Sequence, residues 1–290
     1  MFINNQGKFC MKINQVKNNI NFNSGYNLNI AKMERQINPI NTELFFKNSK
    51  LKDWGTFYNI DLKGNKAIAL ANKLCAEIFI KFRQLYDFRQ NRCTQTLIFP
   101  QDIYAFNKSE SDFYNNQQFF VNIESIRPNK NKPTFDPGTV FIDNAFDSLE
   151  YINSSAEHLH EENILSTNHF LHNFVHEWLH AQFTNILKAR ARLGSYYYNR
   201  TAQKYEHQKL DDKEKEMVGN LIGTYAFSKE EGQYPELFAE SWTKFICESL
   251  SDDCESFAKN PVDILKSMPK EFQSLLEKIS QVEMYHLFKD

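Results

Sequence analysis

The chain has 290 residues, with 34 lysines and arginines against 36 aspartates and glutamates and a formal net charge of -2. This near-neutral balance argues against a dedicated nucleic-acid binder, which needs a positive field, and no stretch approaches the roughly 20 apolar residues that span a bilayer. The five cysteines are scattered without a Cys-x-x-Cys pair, which argues against a thiolate zinc site and favours a reducing compartment.

Residues 1–50 form a polar segment that contains 12 asparagines. Such a segment buries too little apolar surface to offset the entropy of ordering, so we predict a flexible leader. It lacks the basic and then apolar pattern of a cleaved signal peptide. Its composition is similar to the export signals of injected bacterial effectors. We therefore expect secretion without a Sec signal peptide, into a host cytoplasm, with a cytoplasmic protein as the alternative.

Residues 51–290 are predicted to form one domain, in which residues 51–165 supply a helix and then strands. The helix is predicted over 66–88, where apolar residues recur every three or four positions. Three strands follow: 96–99, 119–124 and 139–143. Prolines mark a loop over 127–138, between the second and the third strand.

The remainder, residues 166–290, is predicted to be helical. Helices are expected over 166–191, over 235–250 and, in one or two pieces, over 262–288. Ser166 or Thr167 is a favourable N-cap for the first of them, and Pro235 is favoured at the first position of the second. Strands in the first half and helices in the second half predict an α+β fold.

One segment, His176-Glu177-Trp178-Leu179-His180, lies inside the first of these helices and matches the pattern H-E-x-x-H. Residues four apart lie on one face of a helix, so both imidazoles can reach one metal ion. Glu177 lies about 100° around the helix from His176, where it can deprotonate a zinc-bound water. A surface helix with coincident histidines is the alternative. The apolar period argues against it, because buried histidines and glutamates need partners.

Zinc needs a third protein ligand beside an open position for water. Glu236 and Glu240 stand one turn apart at the start of the helix predicted over 235–250. One carboxylate can bind the metal while the other accepts a hydrogen bond from a ligand histidine. An ordinary acidic first turn is the alternative. His207 is another candidate third ligand, and His172 is a competing ligand that lacks an intervening glutamate.

The two motifs together resemble the gluzincins. The Glu-Leu-Phe-Ala-Glu run is most similar to the catalytic domain of anthrax lethal factor and related toxin and effector peptidases. The resemblance implies a zincin-like fold, with a small mixed sheet packed on a long active-site helix and a helical C-terminal half. It implies His176, His180 and Glu236 as zinc ligands, Glu177 as general base, and Glu240 as the carboxylate behind a ligand histidine.

The chain departs from the lethal-factor pattern at Lys229, where that pattern has a tyrosine seven residues before the ligand glutamate. Tyr225 or Tyr234 is then the candidate for stabilising the oxyanion. In zincins an extended substrate pairs with an edge strand above the active-site helix, and the strand predicted over 139–143 is our candidate for that edge.

The sequence therefore predicts a zinc-dependent endopeptidase with Zn²⁺ as its cofactor. Its substrate is expected to be a protein, and a host protein if the chain is an exported effector. The alternative is a non-catalytic interaction module on a zincin scaffold. A DNA-associated metalloprotein is a third hypothesis, because the basic run 188–192 precedes three tyrosines. Basic residues at the end of a helix explain that run more simply, so we expect no nucleic-acid partner. Nothing in the sequence indicates an oligomeric state.

Overall fold

The computed structural model describes residues 66–85, 139–143, 145–191, 208–229, 233–254 and 256–281, together with five short strands nearer the N-terminus. The α-helices of these residues are α1 Lys66–Leu85, α2 Leu149–Glu161, α3 His172–Ala191, α4 Asp212–Leu221, α5 Gln233–Cys247, α6 Pro261–Ser267 and α7 Lys270–Gln281. The strands are β1 Phe2–Ile3, β2 Phe9–Cys10, β3 Phe57–Tyr58, β4 Ile103–Phe106, β5 Phe119–Asn122 and β6 Thr139–Asp143. A 3-10 turn, Thr224–Phe227, lies between α4 and α5.

The strands pair in two groups. β1 pairs with β2, and the other four lie in the order β3, β4, β6, β5. β6 is parallel to β4 and antiparallel to β5, so that Phe141 lies opposite Tyr104 on one side and Phe120 on the other. Because β6 has a paired strand on both sides, the prediction that residues 139–143 form an open edge for a substrate is wrong.

The predicted α+β class, with a mixed sheet packed on the active-site helix, is also wrong for the described residues. Helices make up 69% of the residues whose side chains are described, and β6 is the single strand among them. The sheet partners of β6 are four residues long or shorter. The residues with described side chains therefore pack as a helical body, without a sheet layer.

Two helices that the sequence analysis missed contribute to this difference. At the start of α2, Ser148 Oγ accepts a hydrogen bond from the N–H of Tyr151. At the start of α4, Asp211 and Glu214 form a capping box, in which each side chain accepts from the other residue's N–H. Such caps satisfy the N–H groups that have no partner inside a helix. In α4 the buried residue is Val218, so a hydrophobic period does not mark this helix.

The other predicted helices are confirmed, with shifted ends. α1 ends at Leu85, and α3 begins at His172, several residues after the predicted caps. α5 begins two residues before Pro235, and the closing region consists of the two helices α6 and α7.

Several predictions fall outside the described residues. These are the strand over 96–99, the loop over 127–138 and the leader over 1–50, of which β1 and β2 alone are described. Among the helices that are described, none combines the length and the apolar character that crossing a bilayer requires.

The core lies between α1, α3 and α5. The Trp178 ring of α3 packs on Phe79 of α1 at a centroid distance of 5.5 Å, and Trp242 of α5 packs on Phe82 at 5.2 Å. The indole N–H of Trp178 donates a hydrogen bond of 3.1 Å to Asn72 Oδ1. Because Trp178 stands between the two motif histidines in sequence, its contact with α1 turns both histidines toward α5.

Candidate metal centre

α3 carries the residues of the H-E-x-x-H motif on the side that faces α5. His176, Glu177 and His180 are all buried, with exposed fractions of 6%, 9% and 6%. The two imidazole rings are one helical turn apart, and their centroids are separated by 4.6 Å in an edge-on arrangement. The helix therefore brings the two predicted ligand histidines together at one buried point.

Glu236 reaches the same point from the first turn of α5. Its Oε2 atom lies 3.3 Å from His176 Nε2 and 3.3 Å from His180 Nε2, and the two Nε2 atoms are 2.9 Å apart. The Glu236 side chain is buried. Three donor atoms from two helices thus form a small triangle, which we call the donor triangle.

The donor triangle fits a metal ion. In a tetrahedral zinc site with bonds of about 2.0–2.1 Å, neighbouring ligand atoms are about 3.3 Å apart, which is close to the distances found here. Glu236 Oε2 has no hydrogen bond of ordinary geometry to a described group, and such a buried oxygen needs a donor or a cation. His176, His180 and Glu236 can therefore hold a metal ion. Two imidazoles and one carboxylate are a donor set that zinc accepts.

Glu240, one turn further along α5, stands behind His176. Its Oε2 atom lies 2.8 Å from His176 Nδ1, the ring nitrogen that faces away from the donor triangle. Its Oε1 atom accepts a hydrogen bond of 2.8 Å from the N–H of Ser166. Burial favours the neutral acid, but His172 and His176 outweigh it and hold the pKa of Glu240 below its usual range. The carboxylate keeps one His176 proton on Nδ1, so a metal ion at Nε2 would replace the second proton, which Glu236 and Glu240 stabilise in the metal-free protein.

The Glu236 carboxyl is also held as an anion. Burial raises its pKa, but the ammonium group of Lys229 and the imidazole of His180 outweigh that effect, so the pKa of Glu236 lies well below its usual range. A metal ligand has to be deprotonated. The centre therefore presents a charged carboxylate at neutral pH.

Glu177 behaves differently from the other two glutamates. Burial raises the pKa of its carboxyl, and the nearby His180 and His176 offset this only in part. Its Oε2 atom is buried without a hydrogen-bond partner among the described groups. A carboxylate with a raised pKa is better suited to take up and release a proton near neutral pH, as a general base must.

The 3-10 turn and the residues after it form another wall of the centre. The ammonium group of Lys229 pairs with Glu236 Oε1, the oxygen turned away from the histidines. The Tyr225 ring lies 6.0 Å from the His176 ring and 5.9 Å from Lys229 Nζ. Lys229 lowers the pKa of Tyr225, but burial and the neighbouring carboxylates outweigh it and raise the pKa. The phenol therefore keeps its proton at neutral pH and can donate a hydrogen bond.

The two tyrosines that were candidates for the oxyanion lie in different surroundings. Tyr225 is beside His176, whereas Tyr234 is buried in α5 with Lys278 Nζ of α7 at 5.9 Å from its ring centroid. The geometry favours Tyr225 for this role.

No family model, no curated protein and no solved structure matches this chain. The resemblance to the gluzincins stays a prediction. The argument for function therefore depends on the geometry of the centre.

Other candidates from the sequence lie elsewhere. His207 and the tyrosines that follow the basic run are outside the described residues. His172 does not belong to the donor triangle. It faces Glu240 instead, with 3.4 Å between His172 Nε2 and Glu240 Oε1, and with Glu240 and His176 it forms a second group that could hold an ion.

Sequence reasoning missed what Lys229, Ser166 and Thr167 do in the centre. It noted Lys229 only as a departure from the lethal-factor pattern, and it treated Ser166 and Thr167 as helix caps. The structure places the Ser166 N–H on Glu240 and the Thr167 hydroxyl on His172. The one available signal was a lysine seven residues before the acidic pair, since opposite charges near one another in sequence often meet.

Proposed function

We propose that this chain is a zinc-dependent endopeptidase that hydrolyses a protein substrate at the donor triangle. The observation that carries the proposal is the convergence of His176 Nε2, His180 Nε2 and Glu236 Oε2 within 3.3 Å of one another, with Glu177 beside them. Three protein ligands and a neighbouring general base are the parts of a hydrolytic zinc site. A purely structural zinc site would use a fourth protein ligand.

The residues of the centre divide the chemical work. A bound zinc ion supplies a water of lowered pKa and a Lewis acid for the substrate carbonyl. The Glu177 carboxylate accepts a proton from the attacking water and returns it to the leaving amine. The Tyr225 hydroxyl donates a hydrogen bond to the oxygen of the scissile carbonyl as negative charge develops there. Glu240 keeps the proton of His176 on Nδ1 throughout.

The surroundings of the centre favour hydrolysis over a non-catalytic role. Glu177 is not needed to complete the donor triangle, yet it is buried beside it with a raised pKa. An interaction module would gain nothing from a carboxyl in that position, because burying such a group is unfavourable. A catalytic role explains why the group is there.

The substitution Glu177→Gln tests the proposal. It keeps the size of the side chain and removes the base, so we expect unchanged zinc binding and a loss of hydrolysis of about 10²–10⁴-fold. The full chain, loaded with one equivalent of Zn²⁺, is incubated with peptides from a eukaryotic cell lysate, and new N-termini are identified by mass spectrometry. The matched control is Glu216→Gln, which changes an exposed glutamate of α4.

Two results would contradict the proposal. One is cleavage by Glu177→Gln at the rate of the unsubstituted chain. The other is stoichiometric zinc without any cleavage that 1,10-phenanthroline inhibits, which is the outcome that the interaction module predicts.

A further inference from the structure

A buried chain of polar groups lies behind the donor triangle, on the Nδ1 side of the His176 ring. Thr167 Oγ1 is 3.1 Å from His172 Nδ1, His172 Nε2 is 3.4 Å from Glu240 Oε1, and Glu240 Oε2 is 2.8 Å from His176 Nδ1. All four residues are buried, and His172 is fully inaccessible. The chain of groups ends on a predicted ligand of the metal.

The direction of the hydrogen bonds can be deduced from the donors. The ionised Glu240 carboxylate can only accept, so His172 Nε2, which faces it, carries a proton and His172 Nδ1 accepts from the Thr167 hydroxyl. Thr167 Oγ1 also accepts a hydrogen bond of 3.3 Å from the N–H of His169 and interacts with Cys247. The same carboxylate also accepts the Ser166 N–H. Glu240 Oε1 is therefore held by the hydrogen bond from Ser166 and by the nearby imidazole of His172, and Glu240 Oε2 faces His176.

His172 lies one turn before His176 on α3, and their rings are stacked with a centroid distance of 6.0 Å and an angle of 18°. Its Nδ1 atom has a hydrogen bond with Thr167, and its Nε2 atom faces the Glu240 carboxylate at 3.4 Å without a hydrogen bond of ordinary geometry. This arrangement suits a residue that orients its neighbour. His172, Glu240 and His176 could also hold an ion, so a test has to distinguish the positioning role from a second metal site.

We propose that Thr167 and His172 are positioning residues that fix the Glu240 carboxylate, and through it the ring orientation and proton location of His176. The proposal rests on the proposed zinc function of the same centre. Groups that hydrogen-bond to metal-ligating histidines typically contribute 10–100-fold to metal affinity. A positioning role one step further from the metal predicts an effect in the lower part of that range.

The test compares pairs of substitutions in the full chain. Thr167→Val and His172→Phe keep the approximate shape and remove the hydrogen bonds, whereas Thr167→Ser and His172→Gln retain a polar group at the required place. We measure the Zn²⁺ dissociation constant by competition with a chromophoric chelator, and the visible d–d absorption of the Co²⁺-loaded protein. Urea unfolding of the metal-free variants reports folding separately, and His158→Gln, on a partly exposed histidine of α2, is the control.

We expect Thr167→Val and His172→Phe to weaken Zn²⁺ binding by about tenfold and to alter the Co²⁺ spectrum, and Thr167→Ser and His172→Gln to restore most of the affinity. If His172→Phe does not fold, Thr167→Val decides the matter. An unchanged dissociation constant and Co²⁺ spectrum in folded Thr167→Val and His172→Phe would overturn the proposal. A second equivalent of metal that is lost in the His172 variants would also overturn it, because His172 would then be a ligand.

This experiment separates the two proposals. If the unsubstituted chain binds zinc and cleaves nothing, the peptidase proposal fails while the positioning role is still measured. If the unsubstituted chain binds no zinc, both fail together.

Discussion

Two buried histidines only seven residues apart have opposite properties. Burial lowers the pKa of His169, and the neighbouring His172 lowers it further, to about 3. Burial also acts against the charged form of His176, but Glu236 and Glu240 outweigh it and raise the pKa of His176 to about 10. Both side chains are nearly inaccessible. The difference shows that depth in the core does not decide the charge of a histidine here; the carboxylates that face it do.

His169 belongs to a group of soft, neutral residues that we call the sulfur cluster, defined by His169, Cys75, Cys247 and Cys254. His169 Nε2 lies 3.5 Å from Cys254 Sγ, and burial, with a smaller contribution from neighbouring aspartates, raises the pKa of Cys254 to about 12. Burial likewise raises the pKa of Cys75 and Cys247. The sulfur cluster therefore stays uncharged and chemically inert, whereas the metal centre holds paired charges.

Among substitutions that test the difference between the metal centre and the sulfur cluster, we expect the largest effect in the metal centre. Glu236→Gln removes the carboxylate that we propose as a ligand, so we expect the Zn²⁺ dissociation constant to rise at least about a hundredfold, more than removal of a supporting group. Competition with a chromophoric chelator measures this, with Glu271→Gln on the exposed side of α7 as the control. Unaltered zinc affinity in Glu236→Gln would mean that the donor triangle is not the binding site.

The second effect is the dependence of stability on pH that comes from His169. The unfolded chain binds a proton near pH 6.5, whereas folded His169 resists it down to about pH 3. The unfolded state therefore holds more protons in this window, and stability present above pH 6.5 is lost as the pH falls toward 3. Between pH 7.5 and 5.0 this residue should lower the free energy of unfolding by about 2 kcal/mol.

The substitution His169→Gln measures that contribution. Glutamine can accept the N–H of Leu171, as His169 Nδ1 does, but it does not titrate. Urea unfolding of the metal-free proteins at several pH values should give a shallower loss for His169→Gln than for the unsubstituted chain. Equal slopes would show that His169 does not stay neutral in the folded state.

The smallest effect is expected from a substitution inside the sulfur cluster. Cys254→Ala removes one buried sulfur atom, and we expect a loss of about 1 kcal/mol in the free energy of unfolding, with an unchanged Zn²⁺ dissociation constant. Urea unfolding and chelator competition on the same sample give both values. A clear loss of zinc affinity would show that the two regions act as one unit.

The sequence predicted the relative positions of site residues correctly where those residues lie on the same helix. The positions of His176 and His180 follow from the period of α3, and Glu236 and Glu240 are one turn apart for the same reason in α5. The α+β class was wrong because the residues with described side chains are mostly helical and the helix α2, whose start is marked by a single serine cap, was not predicted among the strands.

Contacts between elements could not be predicted in the same way. Lys229 contacts Glu236 because the 3-10 turn Thr224–Phe227 directs the chain back toward the metal centre. That turn follows Gly223, whose φ of 121° is accessible to glycine and unfavourable for other residues. The roles of Ser166 and Thr167 likewise depend on where α3 begins and on how it packs against α5. A residue pattern contains neither the path of a turn nor the packing of two helices.

The hydrogen bond between Trp178 and Asn72 affects how precisely the imidazole rings of the metal centre are oriented. Rotation of α3 about its own axis would carry the indole and both imidazoles together, because all three side chains grow from the same rigid cylinder. The hydrogen bond of 3.1 Å from Trp178 to Asn72, on one side of α3, therefore restricts the rotation of the helix and of the imidazoles on its other side. Among the contacts described, Asn72 touches no atom of the donor triangle. It nevertheless helps to fix the orientation of the two imidazole rings from the opposite side of α3.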